Sequence, residues 1–185
     1  MEITVRNSTL SPIGCLLTKP LKTFVLFNAI TSFFESNPVP SDRLPVLDNQ
    51  HAIRHPLRIL LAEDQAVNLR VAQLMLSRLG YTCTCVSDGR QVIDLVTLDS
   101  FDAILLDVQM PSLDGLKTAA ELVATLPVSV RPWIIAMTAN AMEGDREECL
   151  AAGMDDYLSK PISAKPLAQA LTNASERLAL RRVIK

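Results

Sequence analysis

The sequence predicts an α/β fold: a doubly wound sheet of five parallel strands with helices on both faces and a small N-terminal appendage. Short, nearly continuous apolar runs, typical of strands covered on both faces, recur along residues 57–158. Segments with helical apolar spacing follow them, and Gly80 and Gly153 end two of these segments. Strands that alternate with helices in this way form parallel sheets through right-handed crossovers.

Each element is assigned from its own pattern. The strands are predicted from apolar runs at 57–62, 81–86, 103–106, 133–137 and 156–158. The helices are predicted from apolar positions three or four residues apart at about 67–79, 92–98, 116–126 and 142–152, and a last helix follows the fifth strand. Ligands of such sheets bind beyond the carboxyl ends of the strands, so functional residues are expected at that edge.

The chain of 185 residues has room for one such domain, predicted at 57–178, and an appendage. Prolines among polar residues predict a linker at 37–56, and a tail is predicted at 179–185. The segment Leu16–Leu21 is similar to Tyr157–Ile162, and both contain Lys-Pro. We therefore expect residues 1–36 to be the last strand and helix of a preceding unit of the same kind.

Composition and charge argue against several functions. The net charge of −2 gives no electrostatic case for binding nucleic acid, which usually requires a basic face. The apolar stretch at 24–34 is about half the length needed to cross a bilayer. The residues before it lack a basic region followed by an apolar core, so we do not expect a signal peptide. We expect a cytoplasmic protein that contacts neither nucleic acid nor membrane.

The cysteines and histidines are not predicted to carry chemistry. Cys83 and Cys85 lie in the second predicted strand, and we expect their side chains on opposite faces, without a zinc or redox role. His51 and His55 lie in the predicted linker rather than on an amphipathic helix, so neither is expected to be a phosphorylated histidine.

Polar residues follow four of the predicted strands. Glu63 and Asp64 follow the first strand, Asp107 the third, Thr138 the fourth and Lys160 the fifth. Because the ends of parallel strands share one edge, these residues are expected to converge. Taken singly, each could be a turn residue, a helix cap or a surface charge, but polar residues after four strands that end at one edge indicate a functional site.

Three carboxylates brought together repel one another unless they share a cation, and oxygen ligands favour Mg²⁺. We expect Asp64, Asp107 and the backbone carbonyl of Gln109 to bind Mg²⁺, or Mn²⁺, with Glu63 acting through a water molecule. Asp107 is then suited to attack a phosphoryl group as a nucleophile. Lys160 and Thr138 are suited to donate to the phosphoryl oxygens.

The motifs around these residues resemble those of response-regulator receiver domains, most closely the receiver modules of hybrid sensor histidine kinases. The segments that carry the resemblance are Leu60–Asp64 (LLAED), Leu105–Pro111 (LLDVQMP), Ala136–Ala139 (AMTA) and Asp156–Pro161 (DYLSKP). The resemblance implies strand order 2-1-3-4-5 and Mg²⁺-dependent phosphoryl transfer to Asp107. The donor would be a phosphohistidine on a sensor kinase or a histidine phosphotransfer domain.

The resemblance also implies a cis bond before Pro161 and a conformational switch. In that switch the hydroxyl of Thr138 moves toward phosphorylated Asp107 and Tyr157 turns into the space it vacates. No kinase core is present in the sequence, so the module would catalyse its own phosphorylation and dephosphorylation, within a larger hybrid kinase or alone.

Two other functions stay open from the sequence. A receiver-fold module could bind partners without chemistry, although the complete set of acidic, threonine and lysine residues argues against this. An aspartyl-nucleophile phosphohydrolase needs a general acid two residues after its nucleophile, and Gln109, which stands there, cannot protonate a leaving group.

Overall fold

The computed structural model describes residues 49–139 and 143–183, and in these ranges the predicted α/β fold is confirmed. Five parallel strands form one sheet in the order β2-β1-β3-β4-β5. The strands are β1 (Ile59–Ala62), β2 (Cys83–Val86), β3 (Ala103–Asp107), β4 (Trp133–Thr138) and β5 (Asp156–Ser159). The helices are α1 (His51–Arg54), α2 (Ala66–Arg78), α3 (Gly89–Leu98), α4 (Gly115–Thr125), α5 (Glu143–Ala151) and α6 (Ala164–Val183).

The continuous apolar runs form strands because both faces of the sheet are covered. Every residue of β1 and β3 is buried, and alternate residues enter two separate cores. Leu61 and Leu105 pack with side chains of α2 and α6, whereas Leu60 and Leu106 pack with side chains of α3, α4 and α5. Burial of this kind stabilises the fold by about 25 cal/mol for each Å² of apolar surface removed from water.

The register of the sheet brings the strand ends together. Ala62 of β1 lies beside Leu106 of β3, and Asp107 lies beside Met137 of β4. Thr138 lies beside Ser159 of β5. The residues that end these strands or follow them therefore meet at one edge, as the sequence predicts.

The ordered fold extends beyond both ends of the predicted domain. Helix α1 lies inside the predicted linker, and its His51 is buried. Helix α6 continues to Val183, past the predicted start of the tail. Arg181 in this extension forms an ion pair with Asp155 and stacks on the ring of Trp133, so the added turns have partners.

One expectation about the second strand is wrong. The sulfur atoms of Cys83 and Cys85 lie 3.7 Å apart, on the same face of β2. Side chains alternate along a strand with a period of two, so residues i and i+2 share a face. Both cysteines pack against the core formed with α2, and the described cysteines are free.

Two glycines allow close backbone contacts. Gly80 has a φ of +88°, and a Cβ there would overlap the carbonyl oxygen of Asn49. Gly115 begins α4, and a Cβ there would overlap the carbonyl oxygen of Asp107 and crowd the backbone of Val108. Glycine is the residue that fits both positions.

The chain divides into two units, at 1–46 and 47–185, and the fold above belongs to the second. The predicted remnant at 1–36, Cys15 and most of the predicted linker lie outside the described residues. None of the helices in the described ranges is long and apolar enough to cross a membrane.

Candidate functional site

Two acidic residues follow β1 and differ in their exposure. Glu63 is buried, with 1% of its surface exposed, whereas Asp64 is exposed. Oε1 of Glu63 accepts hydrogen bonds from the backbone N–H of Gln65 at 3.3 Å and from Nδ2 of Asn68 at 3.1 Å. Both donors lie at the start of α2, so that helix holds the buried carboxylate at the strand edge.

Asp107 is the last residue of β3 and is also buried. Its Oδ1 accepts a hydrogen bond from the backbone N–H of Gln109 at 3.1 Å. The loop that follows is held by Val108, whose N–H donates to Met137 and whose carbonyl oxygen accepts from Gly115. Hydrogen bonds to β4 and to the start of α4 therefore fix the backbone next to the Asp107 carboxylate.

Lys160 follows β5 and connects the two buried carboxylates. Its Nζ lies 2.6 Å from Oε2 of Glu63 and 2.6 Å from Oδ2 of Asp107. Its backbone N–H donates to the carbonyl oxygen of Thr138 at 2.7 Å, which anchors the main chain to the end of β4. The peptide bond between Lys160 and Pro161 is cis.

The protonation of Asp107 reflects its surroundings. Burial raises the pKa of the Asp107 carboxyl, and the negative charge of Glu63 raises it further. Hydrogen bonds from Lys160 and from the backbone N–H of Gln109 lower the pKa, but burial outweighs them. A further cation beside this carboxyl would lower its pKa and favour the ionised form.

The acidic residues fit a hard divalent cation. One carboxylate oxygen from each of Glu63, Asp64 and Asp107 can be chosen so that all three lie within 4.8 Å of one another. All the donors are oxygen atoms, the ligand type that Mg²⁺ requires, and Mg²⁺ usually keeps several waters beside one or two carboxylates. Asp64, exposed at the edge, leaves the site accessible from solvent.

An open cavity of about 660 Å³ lies at this edge of the sheet. Asp64, Gln109 and Thr138 line it, so three of the predicted site residues share one concave surface. Asp145 and Glu148 of α5, which were not among the predicted site residues, also line this cavity. Both residues follow the fourth strand, whose carboxyl end lies at the edge where ligands bind, and this position could have indicated them.

Tyr157 lies outside the set of residues that line this cavity. It is 37% exposed on β5, and its ring centre lies 5.4 Å from the guanidinium carbon of Arg146 on α5. A cation over an aromatic face is attractive, so this contact favours the outward position of the ring. Nothing in the sequence spacing indicated the contact, because the two residues lie on different elements.

Asp107 thus lies between the ammonium group of Lys160 and the backbone N–H of Gln109, with two further carboxylates beside it. The family model of the response regulator receiver domain matches residues 59–172. The chain belongs to the response regulator receiver domain family. It is therefore a receiver module of the kind that works in two-component phosphorelays.

A solved receiver domain gives a close comparison. The receiver domain of the sensor histidine kinase PA1611 from Pseudomonas aeruginosa PAO1 is 44% identical, with a TM-score of 0.59. The match covers 65% of this chain and 98% of that one. That receiver domain was solved with a magnesium ion coordinated in its active-site cleft.

Curated relatives of this receiver domain are much longer histidine kinases. The histidine-protein kinase BarA of Escherichia coli K12 is 35% identical over 155 residues, which are 84% of this chain and 16% of BarA. Hybrid signal transduction histidine kinase H of Dictyostelium discoideum is 40% identical over 126 residues, 66% of this chain and 9% of that kinase. The chain thus spans a small part of the relatives that it matches.

Proposed function

We propose that this receiver domain accepts a phosphoryl group on Asp107 from a phosphohistidine of a partner protein. The observation that carries the proposal is the contact of Lys160 with Asp107, at 2.6 Å, beside the oxygen ligands of Glu63 and Asp64. A buried carboxylate held by an ammonium group and a backbone N–H is positioned for attack, and its neighbours can hold the metal.

The reaction moves one phosphoryl group. A carboxylate oxygen of Asp107 forms a bond to phosphorus, the bond from phosphorus to the histidine nitrogen breaks, and the electron pair leaves on the imidazole. The product is an acyl phosphate, and the imidazole takes a proton from solvent. Lys160 and Thr138 donate to the phosphoryl oxygens, whose charge needs fixed donors.

Asp64, Asp107 and the backbone carbonyl of Gln109 would bind Mg²⁺, or Mn²⁺ in its place, with Glu63 acting through water. When bound, the ion neutralises charge between the carboxylates and the phosphoryl oxygens. Asp64 is exposed and lines the open cavity. A phosphoryl group would therefore approach Asp107 from the side of the cavity.

The partner would be a sensor histidine kinase or a histidine phosphotransfer domain, and α2 offers a surface for it. Val67, Val71 and Leu74 are 49%, 37% and 48% exposed on α2, which begins two residues after Asp64. Their spacing of four and three residues places them on one helical face. An exposed apolar row of this kind suits the face of a partner helix.

Phosphorylation would act through Thr138 and Tyr157. Thr138 is buried at the cavity and Tyr157 is exposed on β5. Movement of the Thr138 hydroxyl toward the phosphoryl group would favour an inward position of Tyr157, which shifts a two-state equilibrium. The free cysteines of the described chain suit the reducing cytoplasm, where we place this module.

The test is phosphorylation by a small phosphodonor. The purified chain is incubated with acetyl phosphate and Mg²⁺, and its intact mass is measured. We expect one phosphoryl adduct, absent in Asp107→Asn and retained in the control Asp94→Asn, an exposed aspartate on α3. An adduct that persists in Asp107→Asn would contradict the proposal, and partner binding without any adduct would favour a binding module.

A further inference from the structure

Asn68 lies in the first turn of α2, and the amide of its side chain has a fixed orientation. Nδ2 of Asn68 lies 3.1 Å from Oε1 of Glu63 and 3.2 Å from Oε1 of Gln65. Both neighbours are oxygen acceptors, so the NH₂ group must face them, and its two protons are both used. The amide therefore acts as a two-proton donor aimed at the acidic edge.

The buried carboxylate of Glu63 depends on this donor. Glu63 is buried, so water cannot replace a lost hydrogen bond at low cost. Its Oε1 otherwise accepts a single, longer bond from the backbone of Gln65, at 3.3 Å. Its Oε2 is fully buried and contacts the ammonium of Lys160 at 2.6 Å. Asn68 and Lys160 thus hold opposite oxygens and fix the plane of the carboxylate.

We propose that Asn68 is a positioning residue for metal binding, and that it acts through Glu63. By holding Oε1, the amide keeps Oε2 directed toward Lys160 and Asp107, where the cation and the phosphoryl group would be. Without the amide the Glu63 side chain can rotate about its last torsion, which is soft. This inference rests on the proposed function, because it concerns the same metal site.

The expected loss of Mg²⁺ affinity can be judged from other metal sites, where side chains that hydrogen-bond to the metal ligands have been replaced. Loss of such a partner lowers metal affinity on the order of 10- to 100-fold. We expect Asn68→Ala to weaken Mg²⁺ binding by about tenfold, the lower end of that range, because Glu63 is predicted to act through water. At saturating Mg²⁺ the rate of phosphorylation by acetyl phosphate should recover most of its wild-type value.

The experiment is a double-mutant cycle on the purified full chain. The dissociation constant for Mg²⁺ is measured by calorimetry for wild type, Asn68→Ala, Glu63→Ala and the double variant. If Asn68 acts through Glu63, the tenfold loss should disappear in the Glu63→Ala background. A loss of the same size in both backgrounds would overturn the proposal, since it would mean that Asn68 acts by another route.

Matched variants separate positioning from general damage. Asn173→Ala removes a helical asparagine of α6 that contacts Asp156 and Gln169, and it should leave Mg²⁺ affinity unchanged. Asn68→Gln keeps an amide but displaces it by one methylene, and it should lower the affinity in the same direction if the alanine variant does not fold. An Asn68→Ala protein that folds and binds Mg²⁺ as wild type refutes the role of Asn68. If wild type neither binds Mg²⁺ nor forms the adduct, the proposed function itself fails.

Discussion

Nζ of Lys160 lies 2.6 Å from Oδ2 of Asp107, and the same ammonium group contacts Glu63 at 2.6 Å. One positive charge is therefore shared by two buried carboxylates, with the exposed Asp64 beside them. Burial of uncompensated charge is costly, so a second cation should stabilise this edge.

Magnesium should stabilise the folded chain. A ligand that binds only the folded state adds about 2.7 kcal/mol to the free energy of unfolding at a concentration 100 times its dissociation constant. We expect urea melts in MgCl₂ to show this increase relative to EDTA, and Asp64→Ala to show much less of it. Asp94→Ala, on the exposed face of α3, should respond to MgCl₂ as wild type does.

Replacing Lys160 with methionine should destabilise the metal-free protein. The change leaves Glu63 and Asp107 without their shared cation, and removing one partner of a buried ion pair costs about 3–5 kcal/mol. Because Mg²⁺ supplies charge at the same edge, the deficit should be smaller in MgCl₂ than in EDTA. If urea unfolding shows the same loss of stability in MgCl₂ and in EDTA, the result would argue against a metal site beside Glu63 and Asp107.

Stability should depend on pH through His51. The ring is buried, with Nδ1 3.0 Å from the Tyr81 hydroxyl and Nε2 3.1 Å from that of Thr172. Burial lowers the pKa of His51 below its ordinary 6.5, and the charge of His55 lowers it further, against a hydrogen bond to the backbone of Ala168.

The direction of the pH effect follows from proton binding. Below pH 6.5 the unfolded chain binds a proton that the folded chain does not, so the contribution is full above that pH and is lost as pH falls toward the lowered value. Urea melts between about pH 5.5 and 8 should show this slope for wild type and for His55→Gln. In His51→Gln the slope should be absent, and its persistence would assign it to another group.

Gly80 should tolerate no side chain. Its φ of +88° and the nearby carbonyl oxygen of Asn49 oppose a Cβ, and a left-handed backbone alone costs a non-glycine residue about 1–2 kcal/mol. We expect Gly80→Ala to lower the free energy of unfolding by at least that amount. Gly144→Ala, on α5 with nothing near the new methyl group, should instead be neutral or stabilising by up to about 1 kcal/mol.

Arg146 should influence the conformational switch. Its guanidinium carbon lies 5.4 Å from the ring centre of the exposed Tyr157, a contact worth about 0.5–1 kcal/mol at such sites. Arg146→Met removes the attraction that holds the ring outward, so the affinity for a phosphoryl mimic such as beryllium trifluoride should rise about two- to fivefold. Arg146→Lys should retain much of the wild-type affinity. An unchanged affinity in Arg146→Met would show that the contact does not bias the switch.

The convergence of the site residues at one edge of the sheet was predictable, because it follows from two strong sequence patterns. Continuous apolar runs identify buried parallel strands, and Asp107, Thr138 and Lys160 each stand at or after the end of one. Parallel pairing then brings them together, whatever the loops do. The structure adds the shared contact of Lys160 with Glu63, which strand spacing alone does not specify, since it depends on side-chain rotamers.

Other features depend on contacts between elements that sequence periodicity does not report. Helix α1 is four residues long and is held by the hydrogen bonds of His51 to Tyr81 and Thr172. The last turns of α6 are held by Arg181 on Trp133 and Asp155. Single long-range contacts of this kind leave no periodic pattern, so the predicted domain limits stop short of the ordered chain.

Gly115 has a mechanical consequence for the acceptor loop. Its backbone N–H donates to Val108, and no side chain separates the first turn of α4 from the carbonyl oxygen of Asp107. A flexible side chain between two elements can absorb a small shift, but the backbone of Gly115 packs directly against the backbone of Asp107 and Val108. A displacement of the peptide after Asp107 would therefore press on the first turn of α4, and we expect phosphorylation to shift the start of this helix.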